Sequence, residues 1–73
     1  MQACILVRAS PGKVRNVLNN VKKVENVVKV FPVYGRYDVV VFVEAPNLES
    51  IIGTSEKVNA LKGVKSTETL IEG

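Results

Sequence analysis

The chain's reactive chemistry must come from ten basic and seven acidic side chains, one thiol, and scattered hydroxyls and amides. Histidine is absent, which removes His-based triads, imidazole acid–base catalysis and His-ligated metals together. Cys4 is the only cysteine, so neither an internal disulfide nor a thiolate cluster for zinc or iron–sulfur can form. Tryptophan is absent, and Phe31, Phe42, Tyr34 and Tyr37 are the only aromatics. No catalytic residue, metal site or cofactor is therefore expected, and Cys4 reads as a small buried hydrophobe.

The charges are unevenly distributed. Residues 1–36 carry seven basic side chains against Glu25 alone, whereas residues 37–73 carry six acids against Lys57, Lys62 and Lys65. Such polarity suits nucleic acid, a neighbouring copy, or an ordinary solvated surface.

The elements that must position these groups follow from the hydrophobic pattern. Residues 3–9 are too short and apolar for a surface helix and predict a strand. Ser10-Pro11 then predicts a helix start, with Ser10 as N-cap and Pro11 in the first turn. Val14, Val17, Leu18 and Val21 form its apolar stripe, and it is expected to end near Val24, with Asn26 able to adopt the left-handed conformation. A second strand is predicted over 27–33, where Pro32 demands an edge position or a bulge. Tyr34-Gly35-Arg36-Tyr37 reads as a tight reversal into a third strand over 38–44. Asn47 is expected to cap a second helix with Leu48, Ile51, Ile52 and Val58 or Leu61 inward, weakened at Gly53-Thr54-Ser55. Gly63 closes it, and 64–71 is the last strand.

The order is βαββαβ, with a weak internal repeat. Val7-Arg8-Ala9-Ser10-Pro11 resembles Val43-Glu44-Ala45-Pro46, and Val24-Glu25-Asn26-Val27-Val28-Lys29 resembles Leu61-Lys62-Gly63-Val64-Lys65. Right-handed crossovers interlock the two units as a four-stranded antiparallel sheet of order 4-1-3-2 with both helices on one face. The expected class is α+β, ferredoxin-like, with residues 1–73 as one domain.

A sheet covered on one side should alternate apolar and polar residues. Here Ala3, Ile5 and Val7 oppose Cys4 and Leu6, and Val39, Val41 and Val43 oppose Val40 and Phe42, so both faces of the central strands are apolar. A bare apolar face marks an interaction surface. Chains this small also rarely build enough core alone. Sheet-to-sheet dimerisation answers both problems, and Ile5, Val7, Val39, Val41, Phe42 and Val43 are its expected residues.

Three segments give the chain a resemblance to a known family: Ile5-Leu6-Val7 leading to Gly12-Lys13-Val14, Val33-Tyr34-Gly35-Arg36-Tyr37-Asp38, and Leu61-Lys62-Gly63-Val64 followed by Ser66-Thr67-Glu68-Thr69. The chain resembles the effector-binding, oligomerising module (RAM domain) of the leucine-responsive regulatory protein, Lrp/AsnC, family of transcription regulators, over essentially all of its length. The resemblance implies a protomer that dimerises through its sheet and assembles further into octamers or similar rings, with amino-acid effectors bound between dimers. Full-length members carry an N-terminal helix-turn-helix that reads DNA. Because the first strand begins at Ala3, the chain is similar to stand-alone members, so direct DNA binding is not expected. Sensing, or hetero-assembly with full-length regulators of the family, is the implied role.

An amino acid taken out of water needs partners for its carboxylate and its ammonium. Under this resemblance, backbone N–H groups of Gly35-Arg36-Tyr37 form a nest for the carboxylate, with Arg36 adding a bidentate contact. Asp38 accepts the ammonium, Thr67 and Thr69 offer hydroxyls, and Tyr34 and Tyr37 wall the side-chain pocket. Each residue has a plainer role available: Gly35 and Asp38 as turn residues, the threonines as ordinary strand positions, the tyrosines as packing.

Two competing readings remain. One is a purely structural oligomerisation module without ligand. The other is an RNA-binding domain of the same topology, disfavoured because strand one carries no aromatic on which a base could stack. Residues 1–3 lack a basic segment leading into an apolar run, and no apolar run approaches membrane-spanning length; the expected location is the cytoplasm.

Overall fold

The structure, a computed structural model, describes residues 1–72. Its elements are β1 (Gln2–Ala9), α1 (Val14–Val21), β2 (Val27–Pro32), β3 (Val39–Glu44), α2 (Leu48–Asn59) and β4 (Val64–Ile71). The strands pair antiparallel in the order β2-β3-β1-β4, the ferredoxin-like arrangement that the interlocked repeat predicts. Because β1 and β3 are central and in register from Gln2↔Glu44 to Val7↔Val39, alternate residues on both strands share a face.

One face packs under the helices. Ile5, Val7, Val39 and Val41 are fully buried, Ala3 and Val43 nearly so, and all join Val17 and Val21 of α1 and Ile51 and Val58 of α2 in one core. This corrects the expected dimer surface. Ile5, Val7, Val39, Val41 and Val43 are enclosed by the helices; of that set only Phe42, 39% exposed, lies on the open face. Helices need an apolar sheet surface as much as a partner does, and both faces of these strands offer one.

The first helix starts later than expected. Ser10-Pro11-Gly12-Lys13 forms a turn closed by Lys13 N–H donating to the Ser10 carbonyl at 2.9 Å, with Gly12 at φ 78°. Pro followed by positive-φ Gly defines a type II turn, a conformation no helix can contain. Helix α1 therefore begins at Val14 without a side-chain cap. It also ends at Val21 rather than near Val24, where Lys23 and Val24 N–H bond to the carbonyls of Asn20 and Val21 in a tighter turn. Its apolar stripe is as read: Val17 and Val21 are buried, and Val14 and Leu18 pack against the core.

The second helix starts as expected, with Asn47 Oδ1 accepting from Ser50 N–H at 2.9 Å. Its middle is not weak. Thr54, 3% exposed, donates its hydroxyl to the Ser50 carbonyl at 2.9 Å and accepts from Asn26 Nδ2 at 3.1 Å, tying α2 to the turn before β2. Asn26 is left-handed, at φ 73°. Leu48 and Ile52, expected to point inward, are 45% and 48% exposed. Strand β2 is an edge, ends at Pro32, and slips register between Val27 and Lys29. Of the two alternatives expected of Pro32 the edge position is the one present; the register slip lies at the other end of the strand, and Pro32 itself stays in register opposite Val39.

Candidate functional site

The loop joining β2 to β3 spans 33–38 and is closed by Val33 N–H donating to the Asp38 carbonyl at 3.0 Å. Gly35 within it has φ 133°, a backbone conformation that side chains disfavour. Asp38 extends the β3 pairing: its N–H donates to the Val7 carbonyl at 2.9 Å, and its Oδ2 accepts from Ala9 N–H at 2.8 Å. One carboxylate oxygen is thus used where β1 loses its ladder partner.

Tyr37 crosses the open side of the sheet, its hydroxyl donating to Glu68 Oε1 on β4 at 2.9 Å. That hydrogen bond, reinforced by desolvation and the Glu68 charge, holds the Tyr37 phenol above its usual range, while Arg36 and Arg8 oppose the shift. Tyr37 and Glu68 are thus a bonded pair that bridges the β2–β3 loop to β4. Tyr34 is 99% exposed and lines nothing within this chain.

The two threonines lie elsewhere. Thr69 pairs with Ile5 and Thr67 with Val7, which places both on the helix side of the sheet. Thr69 Oγ1 shares a 2.7 Å hydrogen bond with Ser55 Oγ, and Thr67 Oγ1 donates to Asn59 Oδ1 at 3.2 Å. Arg36, Tyr37 and Asp38 follow one another at the end of the loop, with Tyr37 bonded to Glu68 and Asp38 to Ala9 N–H, while Thr67 and Thr69 lie on the helix side of the sheet. Glu68, which the sequence reading names only within its strand motif and gives no role at the site, is the residue of that strand that meets Tyr37. Strand alternation was the available signal, since Thr67-Glu68-Thr69 must send its middle residue to the opposite face.

Beside the Tyr37–Glu68 bond runs the open face. Cys4, Leu6, Val40, Phe42, Phe31 and Leu70 occupy it by register, and Lys29, Glu44, Arg8 and Glu68 share it. The Phe31 and Phe42 rings lie 5.7 Å apart at 43°, and Lys29 Nζ sits 5.7 Å from the Phe31 centroid. Phe42 separates two shallow grooves of about 290 and 250 Å³. Burial pushes the Cys4 thiol up, away from thiolate chemistry. No group of three or more metal-ligating side chains occurs among the described residues.

Comparison with known proteins decides the family. The model of the Lrp/AsnC ligand binding domain matches residues 2–72. This chain belongs to the Lrp/AsnC family. Its Lrp/AsnC relatives include the HTH-type transcriptional regulator FL11 of Pyrococcus horikoshii, 34% identical over 71 residues, and that of Pyrococcus abyssi, 32% identical over 71 residues. The match covers 97% of this chain and 47% of each regulator, so the chain spans about half the length of the curated relatives it matches. Among solved structures, FFRP-DM1 superposes with a TM-score of 0.89 at 30% identity, covering 97% of this chain and 96% of the other. The hypothetical protein PHS023 from Pyrococcus horikoshii gives 0.84 at 30%, covering 94% and 84%. E. coli AsnC shares the fold, with a TM-score of 0.86 at 18% identity over 94% of this chain and 48% of that protein. The chain is therefore a ligand-binding domain of a transcription-regulator family. No helix among the described residues is long and apolar enough to cross a membrane.

Proposed function

We infer that this chain is a non-enzymatic effector-binding and self-associating module, taking a free amino acid and acting by sensing or by hetero-assembly with full-length Lrp/AsnC regulators. The observation that carries the reading is the uncovered apolar sheet face built around Phe42, with the Tyr37–Glu68 bond at the end of the β2–β3 loop beside it. A second copy laid on that face buries the apolar surface, and a further ring, an octamer or similar, sets the β2–β3 loop against a neighbouring protomer. Such a contact supplies what one protomer lacks, hydroxyls near Asp38, from the Thr67 and Thr69 side of another copy. In this reading Gly35 and Arg36 receive the carboxylate, Asp38 the ammonium, and Tyr34 and Tyr37 flank the side chain. Direct DNA contact and membrane attachment play no part in it, and the cytoplasm is its setting.

Calorimetry of the full chain against the twenty amino acids tests the effector. Asp38→Asn is the control, because it keeps an acceptor for Ala9 N–H and removes only the charge. At least one amino acid is expected to bind, and the variant to lose about 2 kcal/mol, the lower end of what removing a buried charge partner costs. Absence of heat with every amino acid at millimolar concentration removes the sensor reading. The alternative, a ligand-free oligomerisation module, draws on a specific observation: Asp38, Thr67 and Thr69 all have partners within the chain.

A further inference from the structure

The helical side of the molecule carries a recess that the effector reading does not use. Lys13, Asn16, Asn20 and Lys62 line a hollow of about 120 Å³ between α1 and the α2–β4 connection. All four lining side chains end in N–H donors, and no carboxylate is among them.

The backbone brings the two lysines together. Gly63 has φ 94°, and a Cβ there would stand 3.0 Å from Lys13 Cβ and 3.3 Å from Val17 Cγ2. Only glycine lets this connection lie flat on α1. Ser10 N–H, donating to the Gly63 carbonyl at 2.8 Å, pins it there. Two basic residues thus border one hollow from two different segments. Among the described residues the ion pair joins Lys57 to Glu25 at 3.9 Å and involves neither lysine of the recess.

We propose that this recess binds a tetrahedral oxyanion, a phosphoryl group borne by inorganic phosphate or by a small phosphate monoester. The donor set selects this chemistry. A planar carboxylate is best matched by the fork of an arginine, and no arginine lines the hollow. Lysines are point charges that serve several directions, and the two carboxamides add donors from the α1 side. Their carbonyl oxygens can accept from the proton that phosphate retains near neutral pH.

The test is a nitrogen–proton NMR titration of the full chain at constant ionic strength, with phosphate replacing chloride. The side-chain amides of Asn16 and Asn20 are expected to shift saturably. Lys62→Gln should weaken binding about threefold, and Lys13→Gln with Lys62→Gln about tenfold, the scale of losing charge-assisted contacts at a solvated site. Glutamine at position 13 keeps the stem that contacts Gly63, and Lys57→Gln is the neutral control, expected to titrate unchanged. A methyl phosphate arm separates the sources: stronger binding than phosphate assigns the recess to monoesters, equal or weaker binding to the free ion. An acetate titration with the same saturation overturns the proposal, as does a non-saturating drift or a doubly substituted chain that titrates like the parent.

Discussion

Aspartate placed at Val41 or at its neighbour Phe42 separates the two faces of the sheet. Val41 is fully buried under the helices. Losing its side chain removes about 1.5–3 kcal/mol of burial, and an unpaired carboxylate in that position costs several kcal/mol more. A chain of 73 residues has roughly 4–11 kcal/mol in total, at about 0.05–0.15 kcal/mol per residue. Val41→Asp should therefore be unfolded at neutral pH. Burial raises the carboxyl pKa in the folded state, so the penalty applies above the unfolded value near 4 and relaxes as pH falls through that window. Phe42 is 39% exposed and has Phe31 at 5.7 Å and Lys29 directly across the strand pair. Replacing it with Asp costs about 2 kcal/mol of partial burial and ring contact, offset by a cross-strand charge pair of about 0.2–1 kcal/mol. That variant should stay folded. Circular dichroism with urea reads the first difference, and light scattering reads the second: Phe42→Asp is expected as a folded single chain, the parent as a larger species. Equal stability of the two variants refutes the face assignment. A folded Phe42→Asp of unchanged mass refutes the open face as the self-association surface.

Gly63→Ala should destabilise by about 2–4 kcal/mol, from positive φ plus overlap with Lys13 Cβ, against about 1 kcal/mol for Gly12→Ala, where positive φ acts in open space; urea midpoints measure both. Thr54→Val keeps the shape but strips Asn26 Nδ2 of its acceptor, for an expected loss of about 1–3 kcal/mol in the same assay. Asn47→Ala removes the α2 cap, worth about 1 kcal/mol. In a Tyr34→Phe background, Tyr37 is the only tyrosine. Its ionisation, followed by phenolate absorbance, should then lie above the ordinary value of about 10 and fall toward it in Glu68→Gln. Because the folded-state pKa is the raised one, the Tyr37–Glu68 contact is complete below pH 10 and is lost as pH rises through that higher midpoint. An unmoved midpoint in Glu68→Gln removes the bond as the cause.

The topology was legible because it is encoded locally and twice. Two strand–helix–strand units with Gly63 and Asn26 at matching ends leave few ways to interlock. The residues facing the helices were not legible. When Val40 and Phe42 are as apolar as Val39 and Val41, binary patterning carries no information about side, and only the packed helices decide. Pro11-Gly12 misled in the opposite way, since a proline alone favours a helix start but the glycine after it completes a turn first. Gly53 with two hydroxyl residues predicts a weak helix, and Thr54 overrides this by reaching a partner 28 residues away in Asn26. In the loop, the bond between Asp38 and Ala9 N–H depends on a strand alignment that sequence spacing does not display. The recess on α1 was hidden for the same reason, being assembled from positions 13 and 62 by the contact of one glycine.

The rim of the sheet at β2 carries a kink beside Val28 and ends in Pro32, which has no N–H to offer. Both features disfavour pairing with a strand from another molecule along that side, and so lateral fibre growth there. Copies meeting through the broad surface around Phe42 use the same patch on both partners, and a contact of that symmetry closes on itself after two. Under the proposed association, the border thus disfavours open-ended stacking and the face around Phe42 gives a finite way to associate.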